Sequence, residues 1–592
     1  MAGMNALHPL DWLIIGTYLV GTIVLGLAFS RRASRDGESY FLAGRSLPWW
    51  VLGTSMVATT FAADTPLAVT GFVRDHGIWY NWFGWHYALA QILAVFLFSR
   101  FWRRAEVITD NQLIEMRYAG RPAASLRAFK AFYFAVLYNF IVLGWVLKGM
   151  ATVAQTVLGI DPTVAVLGGA AFALAYSLMA GFWGVVVTDV VQFILAMAGA
   201  IILAVVAVGK VGGLEVLLTR LAALPQVTAD TTAMIPGGGF GPESNVFKFL
   251  VFVTIMWWAS HNADGGGYLI QRMSAARDER HARGATLWFV IAMNAVRYWP
   301  WILAALASLV LFPVLPDGQG SEAAYPLLMR EVLGPGLLGV MLVSFFAAFM
   351  STIDTHLNWG ASYLINDVYT RFLRPAAGPR ETVLVAKLCV GVMMVLAAVV
   401  AFALTSIGKA WLFVWAMGAG IGPVLILRWF WWRINAWSEI AALAASVLLA
   451  VGFEVAAAVQ SGPAYVLFDT PLRVGGVALA THHKAIILVP ITILVWVTVT
   501  LLTRPEPPAR LAAFYRKVRP GGAWGPVAAA CPDVVCDGLS RRTLLAWLAG
   551  VAMVYGILFG LGKLLLGQPA AGLVLLAVAA AATVVVVREL RR

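Results

Sequence analysis

Apolar runs of membrane-spanning length fill this chain almost from end to end. Of its 592 residues, 61% are hydrophobic and only 12% are charged, whereas charged residues approach a quarter of a soluble globular protein. A bilayer core about 30 Å thick requires about 20 apolar residues per helix. About 15 windows of that length can be placed along the sequence. The sequence therefore predicts an all-α integral membrane protein with about 15 transmembrane helices.

The basic residues are distributed unevenly among the connections between these runs. The net charge is +13, but the 42 Lys and Arg residues occur in short clusters and form no continuous basic face, which argues against a nucleic-acid partner. Alternate connections, together with the C-terminal tail, hold 30 of the 42. The positive-inside rule then predicts an N-terminus outside and a C-terminus in the cytoplasm. We expect a monomer in the lipid bilayer of a bacterial cytoplasmic (inner) membrane.

Two of the apolar runs are interrupted by polar residues. One interruption spans 59–66, includes Asp64 and ends at Pro66, and the other runs from His261 to three successive glycines at 265–267. Unwound backbone at bilayer depth is tolerated only where it lines a cavity in the protein, and paired broken helices are typical of transport sites. The alternative is that Pro66 introduces a simple kink and that the glycines belong to a loop.

Each interrupted run opens a block of five predicted spans. Five spans per block give the two blocks opposite orientations, which predicts an inverted-repeat core with two discontinuous helices and with binding sites where the blocks meet. The predicted organisation is an N-terminal extra helix and loop at 1–47, a first repeat at 48–208, an extracellular loop at 209–246, a second repeat at 247–428, and peripheral helices at 429–592 with a cytoplasmic linker at 504–542.

No phosphate-binding loop of the form G-x-x-x-x-G-K-[ST] occurs in the sequence. This argues against an ATP-driven pump. We expect no enzymatic activity and no cofactor.

Several short motifs, taken together and in their order along the chain, resemble those of the sodium:solute symporter family. They are Tyr40–Trp50, Gly181–Gln192, Ile270–Arg272 and Ala347–Thr352, the last followed by Leu357, Asn358, Asp367 and Tyr369. The resemblance runs from about residue 9 to residue 430. It implies the five-plus-five inverted-repeat fold with one extra helix in front and several behind. It also implies a sodium ion as the coupling ion for symport of a small-molecule solute.

By this resemblance, the family's conserved sodium site maps onto five positions. They are Ala58, Phe61, Ala348, Ser351 and Thr352. The chemistry agrees, because a hard cation prefers a cage of oxygens and the two hydroxyls of Ser351 and Thr352 lie on one helical turn. The alternative is that both hydroxyls bond back to the preceding turn, as Ser and Thr commonly do in membrane helices.

Asp189 is a further candidate for the ion site. It lies within a predicted span, where a carboxylate costs about 2.5–3.5 kcal/mol, and the motif match places it beside the sodium site. It could attract the ion, relay protons or belong to a structural ion pair. Asp354 shares a helix face with Ser351 and is a second electrostatic candidate.

The substrate pocket is predicted from polar residues at the breaks and in neighbouring spans. The candidates are Asp64, Thr65, Asn81, His86, Asn262, Asp264 and Arg297. The resemblance implies an acid and an amide at 64 and 65 in sugar-binding members, and here the amide is missing. Arg297 cannot be neutralised. It either pairs with Asp264 or Asp64, the interpretation that we favour, or binds an anionic group of the substrate.

Together these features predict a sodium-coupled secondary symporter that imports a small polar organic solute by alternating access. Two alternatives stay open: a proton-coupled carrier of the same fold, and a transporter-like receptor that binds solute without moving it. Sugar, amino acid and carboxylate are all still candidates for the substrate.

Overall fold

The computed structural model describes residues 7–33, 43–178, 182–316 and 319–591, and almost all of its regular structure is helical. The motif positions Tyr40, Phe41, Leu42 and Gly181 lie outside these ranges. Short 3₁₀ and π segments are included in the helix that they continue. The helices are α1 Pro9–Ala33, α2 Trp49–Thr59, α3 Thr65–His76, α4 Ile78–Ala105, α5 Gln112–Arg117, α6 Gly120–Leu158, α7 Pro162–Ser177, α8 Phe182–Val211, α9 Leu214–Ala222, α10 Asn245–Ala259, α11 Gly267–Ser274, α12 Glu279–Leu311, α13 Ala324–Val332, α14 Leu337–Leu373, α15 Pro379–Ala403, α16 Ile407–Met417, α17 Gly422–Phe430, α18 Ala436–Ser461, α19 Thr481–Leu502, α20 Pro508–Val518, α21 Gly525–Ala529, α22 Arg541–Leu565 and α23 Pro569–Leu590. A two-residue antiparallel hairpin, β1 Arg473–Val474 and β2 Val477–Ala478, precedes α19.

The helices α2 and α3 form one discontinuous helix. At the end of α2, the amides of Thr60 and Phe61 donate to carbonyl oxygens three residues back, at 3.1 and 3.0 Å, instead of four. The chain is then non-helical until α3 begins at Thr65. Pro66 lies in the first turn of α3, where a missing amide costs no hydrogen bond. The first predicted break is therefore confirmed.

The helices α10 and α11 form the second discontinuous helix. Between them, Gly265 and Gly266 have φ angles of 129° and 76°, a region that glycine adopts without a Cβ clash. The amide of Gly420 donates to the carbonyl oxygen of Ala259 at the end of α10, at 2.8 Å. Another part of the chain thus satisfies a carbonyl that the break leaves without an intrahelical partner.

A third interruption, which the sequence interpretation missed, lies between α16 and α17. The two helices are bent by 43° relative to each other. A Cβ at Gly422 would lie 2.0 Å from the carbonyl oxygen of Trp258 and 2.6 Å from that of Ser260. The start of α17 therefore lies directly against the second break, and only glycine permits this approach.

The core is an all-helical membrane bundle in which α14 packs against α1, α6 and α8, while α12 packs against α2, α3 and α8. Among the described residues, ten helices are long and apolar enough to cross a membrane, or eleven if the bent pair α16 and α17 is one span. Three shorter apolar helices accompany them, at Pro9–Val24, Pro162–Ser177 and Asn245–Ala259. The predicted fold class is confirmed, but the count of fifteen spans is not.

The segment 504–542, predicted as a linker, contains α20 and α21 and packs against the core. The indole N–H of Trp524 donates to the carbonyl oxygen of Trp429 at 2.8 Å. The guanidinium of Arg117 lies 4.8 Å from the centre of the Trp524 ring. Its proline and basic residues suggested a cytoplasmic linker, but its aromatic residues Phe514, Tyr515 and Trp524 are buried.

Candidate ion and substrate sites

The C-terminal end of α2 lies against the middle of α14. The Oγ of Ser351 lies 3.2 Å from the carbonyl oxygen of Ala58 and 3.0 Å from that of Ala348. The Oγ1 of Thr352 lies 3.0 Å from the carbonyl oxygen of Thr59 and 3.2 Å from that of Ala348. Two buried hydroxyls and three carbonyl oxygens therefore occupy one small region, which we call the hydroxyl cluster.

The hydroxyl cluster combines the two alternatives left by the sequence. Each hydroxyl bonds back to Ala348 in its own helix and also reaches across to the broken end of α2. An oxygen-only cluster without a formal charge suits a hard monovalent cation. The carbonyl of Thr59 belongs to this set and was missed, because nothing in the sequence fixed the residue at which α2 ends.

Phe61 lies just beyond the cluster, inside the first break. Its ring meets that of Trp301 edge to face, with centroids 4.7 Å apart. Together with Ala348 it lines a small apolar cavity. Within the described contacts, its carbonyl oxygen does not meet either hydroxyl of the cluster.

Asp189 belongs to a buried ion pair. Its Oδ2 lies 3.2 Å from a guanidinium nitrogen of Arg272, and neither side chain is exposed. Ser55 also donates to this oxygen. The same arginine donates to the hydroxyls of Thr59 and Thr355 at 3.0 and 2.8 Å. The structure therefore places Asp189 next to the hydroxyl cluster through Arg272, a residue that the sequence analysis noted only as part of a motif.

Asp354, the second electrostatic candidate, faces α7. Its Oδ1 accepts a hydrogen bond from the hydroxyl of Ser177. Its Oδ2 is buried and has no partner among the described residues.

A cavity of about 200 Å³ lies between the two breaks, and helices α4, α6, α12, α14 and α16 complete its wall. Four of the predicted substrate-binding residues line it, namely Asp64, Thr65, Asn262 and Arg297. Thr352 also lines it. The hydroxyl cluster and the cavity therefore share Thr352 and also Thr59, whose carbonyl belongs to the cluster.

Arg297 is buried and lies on the cavity wall. It donates to the carbonyl oxygen and, at 2.8 Å, to the hydroxyl of Thr60 in the first break. Its guanidinium also lies 5.4 and 5.5 Å from the ring centres of Tyr298 and Trp301. Across the described ranges, no carboxylate forms an ion pair with Arg297. The favoured interpretation, a structural ion pair with Asp264 or Asp64, is therefore not what the structure contains.

Asp64 and Thr65 occupy the end of the first break. The hydroxyl of Thr65 accepts a hydrogen bond from the amide of Ala62 at 3.2 Å, which closes the turn. The Oδ1 of Asp64 is buried without a hydrogen-bond partner, and no described cationic side chain forms an ion pair with the carboxylate. Thr65 therefore has a backbone role in addition to its place in the wall, whereas Asp64 presents a carboxylate without an ion-pair partner.

Asp264 lies outside the cavity wall and belongs to a buried charge network. Its Oδ2 lies 2.5 Å from a guanidinium nitrogen of Arg428 and accepts the indole N–H of Trp429 at 3.0 Å. Arg428 also pairs with Glu439 at 3.3 Å, and Glu439 lies 3.4 Å from Lys130. Asp264 is therefore paired within the protein, and removing Arg428 would leave a buried carboxylate unpaired.

Asn81 and His86 lie in α4 but are not among the residues that line the cavity. The Nδ2 of Asn81 donates to the carbonyl oxygen of Ile78 at 2.9 Å, and the Nδ1 of His86 lies 2.9 Å from that of Trp82. Both side chains bond to their own helix, and neither lines the cavity.

Gln91 and His356 line the cavity and were not among the predicted residues. The amide of Asn294 donates to Gln91 at 2.9 Å, and the Nδ1 of His356 lies 2.6 Å from the Oδ1 of Asn139. Gln91 lies one helical turn after Tyr87, and both residues line the cavity. Residues four apart share a helix face, so two polar side chains at this spacing could have indicated a wall of the cavity.

Comparison with known proteins agrees with this architecture. The model of the sodium:solute symporter family matches residues 40–447. The chain is 26% identical to a sodium/glucose cotransporter of Vibrio parahaemolyticus over 469 residues, which cover 76% of this chain and 85% of that protein. It is 25% identical to a sodium/mannose cotransporter of Bos taurus over 479 residues, which cover 74% of this chain and 78% of that protein.

Among solved structures, the substrate-bound, outward-open state of a Na⁺-coupled sialic acid symporter has the same fold. The TM-score is 0.65 at 20% identity, and the match covers 84% of this chain and 99% of that one. The family match extends over more than half of the sequence and includes both discontinuous helices and the hydroxyl cluster. This chain is therefore a multi-pass membrane protein that belongs to the sodium:solute symporter family.

Proposed function

We propose that this protein is a sodium-coupled symporter that imports a small polar organic solute across the cytoplasmic membrane of a bacterium. The observation that carries the proposal is that Thr352 belongs both to the hydroxyl cluster and to the wall of the cavity. An ion in the cluster and a solute in the cavity would thus act on the same turn of α14. The family assignment supports transport as the activity and sodium as the coupling ion.

The proposed ion ligands are the carbonyls of Ala58, Phe61 and Ala348 and the hydroxyls of Ser351 and Thr352. Asp189 stays a candidate that acts on the ion from a distance, since Arg272 already pairs with it. A bound ion would pull the broken end of α2 onto α14, in place of the hydroxyl hydrogens that now bridge them. Coupling requires only that ion and solute each favour the same occluded state.

The proposed topology keeps the N-terminus outside and the C-terminus in the cytoplasm, with a monomer as the transporting unit in the bilayer. The proposed division of the chain is unchanged except at 504–542, which we now treat as a packed cytoplasmic segment. Neither a nucleic acid nor an organic cofactor has a place in this function.

The test uses purified protein in proteoliposomes loaded without sodium. Mixtures of aldoses, proteinogenic amino acids and small carboxylates are added separately, and entry of sodium-22 is measured. At least one mixture should stimulate sodium-22 uptake, and replacing sodium with choline at constant pH should abolish solute uptake.

Solute uptake that is equal in choline would contradict sodium coupling and favour the proton-coupled alternative. Saturable binding of a solute without its entry into the lumen would favour the receptor. A lumenal pH dye separates proton entry from sodium entry in the same vesicles.

A further inference from the structure

We propose that the cavity binds a zwitterionic amino acid, with its carboxylate on Arg297 and its ammonium group on Asp64. This inference rests on the proposed function and narrows the solute to one chemical class. It does not follow from the relatives whose names specify sugars.

The first step concerns Arg297. Its Nε is buried and has no hydrogen-bond partner in the described part of the chain, and one of its terminal nitrogens is held by Thr60. A guanidinium presents several N–H groups in a rigid fork that matches a carboxylate. The contacts with Thr60, Tyr298 and Trp301 fix the fork on the wall without neutralising its charge.

The second step concerns Asp64. A buried ionised carboxylate is stable only when it is paired or hydrogen-bonded. No described cationic side chain forms an ion pair with Asp64, which is 1% exposed, and its Oδ1 has no hydrogen-bond partner. The indole N–H of Trp411, which lines the same cavity, is the side-chain donor that acts on this carboxylate, and it carries no charge. An ammonium group with three N–H donors would satisfy the carboxylate.

The third step is charge balance within one cavity. Asp64 and Arg297 lie on the same wall and are not ion-paired with each other. A neutral sugar would bring no opposite charge into contact with either group, a simple carboxylate would contact only Arg297, and an amine would contact only Asp64. A zwitterion compensates both charges, and its own net charge is zero.

The fourth step concerns size and the rest of the wall. About 200 Å³ lies below the range of drug-sized pockets, roughly 300–1,000 Å³, so the solute is small. Aromatic rings from α4, α6 and α16 complete the wall and provide an apolar surface for a side chain. They are Phe83, Tyr87, Trp145, Trp411 and Trp415. An ammonium group near such rings gains a cation–π attraction.

The test begins with the wild-type protein in sodium buffer. The proteinogenic amino acids are screened for thermal stabilisation, and the strongest is compared with its N-acetyl derivative, which lacks the ammonium charge, and with its amide, which lacks the carboxylate. Because each derivative loses hydrogen bonds to a charged group, we expect each to bind about 10- to 100-fold more weakly in calorimetry.

The variants then assign each charge to its residue. Asp64→Asn should remove the preference for the amino acid over its N-acetyl derivative and keep the preference over its amide. Arg297→Gln should do the reverse. Arg74→Gln and Asp75→Asn, on α3 but outside the cavity wall, are matched controls that should keep both preferences. If Arg297→Gln does not fold, Arg297→Lys retains a charge without the fork and should reduce the same preference.

Three results would overturn the proposal: stabilisation by sugars but by no amino acid, equal binding of the amino acid and both derivatives, or preferences that neither variant changes. Each of these leaves the symporter itself intact if sodium-22 uptake still responds to some solute. Absence of sodium-22 binding to the wild-type protein would instead remove the proposed function.

Discussion

Arg272 lies 3.2 Å from Asp189, and both side chains are completely buried. Arg272 stands on α11, directly after the second break, and it also donates to Thr59 at the end of α2 and to Thr355 in α14. One guanidinium therefore connects the two discontinuous helices to α14 and α8. These contacts give the motif Ile270–Arg272 a structural role that the sequence interpretation did not assign.

Replacing Arg272 with Met should destabilise the protein strongly, because Asp189 is then left buried and unpaired. The expected loss is about 3–5 kcal/mol, seen as a lower thermal unfolding temperature and a lower yield of monodisperse protein. The double variant Arg272→Met with Asp189→Leu should recover part of the loss. A single variant as stable as the wild type would contradict the structural role of the pair.

Ser351→Ala and Thr352→Ala should each weaken sodium binding and leave the protein folded, because Ala has the higher helix propensity. We expect an increase of about 10-fold or more in the sodium concentration for half-maximal sodium-22 binding. Ser362→Ala is the matched control, because Ser362 is a buried serine of α14 that donates to Trp359 in its own helix. Unchanged sodium affinity in the Ser351 and Thr352 double variant would refute the assignment.

Gly422→Ala should disrupt the second break, since its Cβ would lie 2.0 Å from the carbonyl oxygen of Trp258. We expect lower thermal stability and loss of solute binding. Gly391→Ala, on α15 with open space around its Cβ position, should be neutral or slightly stabilising, by about 0.5–1 kcal/mol. Similar melting curves for the two variants would show that α17 does not press on the break.

Arg428→Met should be more damaging than Asp264→Asn. Arg428 pairs with two buried carboxylates, those of Asp264 and Glu439; its loss leaves Asp264 without an ion-pair partner and removes one of the two cationic partners of Glu439. Asp264→Asn removes one charge and retains a side chain of similar size. Size-exclusion profiles after a graded heat step should place the two variants in that order, and the opposite order would exclude Arg428 as the centre of the network.

Asp537, in the packed segment 504–542, should make stability depend on pH. Burial alone would raise the pKa of its carboxyl, but hydrogen bonds from Arg104 and the charge of Arg100 hold that pKa below its ordinary value. Because the pKa is lower in the folded than in the unfolded state, the ionised carboxylate stabilises the protein above the unfolded pKa of about 3.9. This stabilisation is lost as the pH falls through the folded pKa. Asp537→Asn should therefore lower the melting temperature at pH 7, and the difference from the wild type should shrink as the pH falls below about 3.9.

The sequence predicted the two breaks because polar residues and glycines within apolar runs carry a large cost unless they line a cavity. The family resemblance pointed to Ser351 and Thr352, and polarity in apolar runs pointed to Asp64 and Arg297 as pocket candidates. The sequence could not assign partners, because Arg272 and Arg428 reach their carboxylates across 83 and 164 residues of chain. Periodicity contains no information about such distances, and so Asp264 was interpreted as a ligand residue.

The bend between α16 and α17 escaped prediction for a different reason. Its apolar composition is that of an ordinary span, and the demand for glycine at 422 arises from the backbone of another helix. Asn81 and His86 were predicted to bind substrate because they are polar residues in an apolar run. In the structure they bond to their own helix, and composition does not reveal such bonds. Local polarity indicates that a residue needs a partner, and only the tertiary structure shows which one.

The packing of Trp524 on Trp429 joins the C-terminal region to the helices that precede it. The family model stops at residue 447, yet Phe514, Trp524 and Met553 share one buried apolar cluster with Trp102 and Trp429 of the preceding core. Trp429 in turn donates to Asp264 in the second break. A protein cut back to residue 447 would uncover this apolar surface. The C-terminal region therefore belongs to the same packed core, which extends beyond the residues that the family model covers.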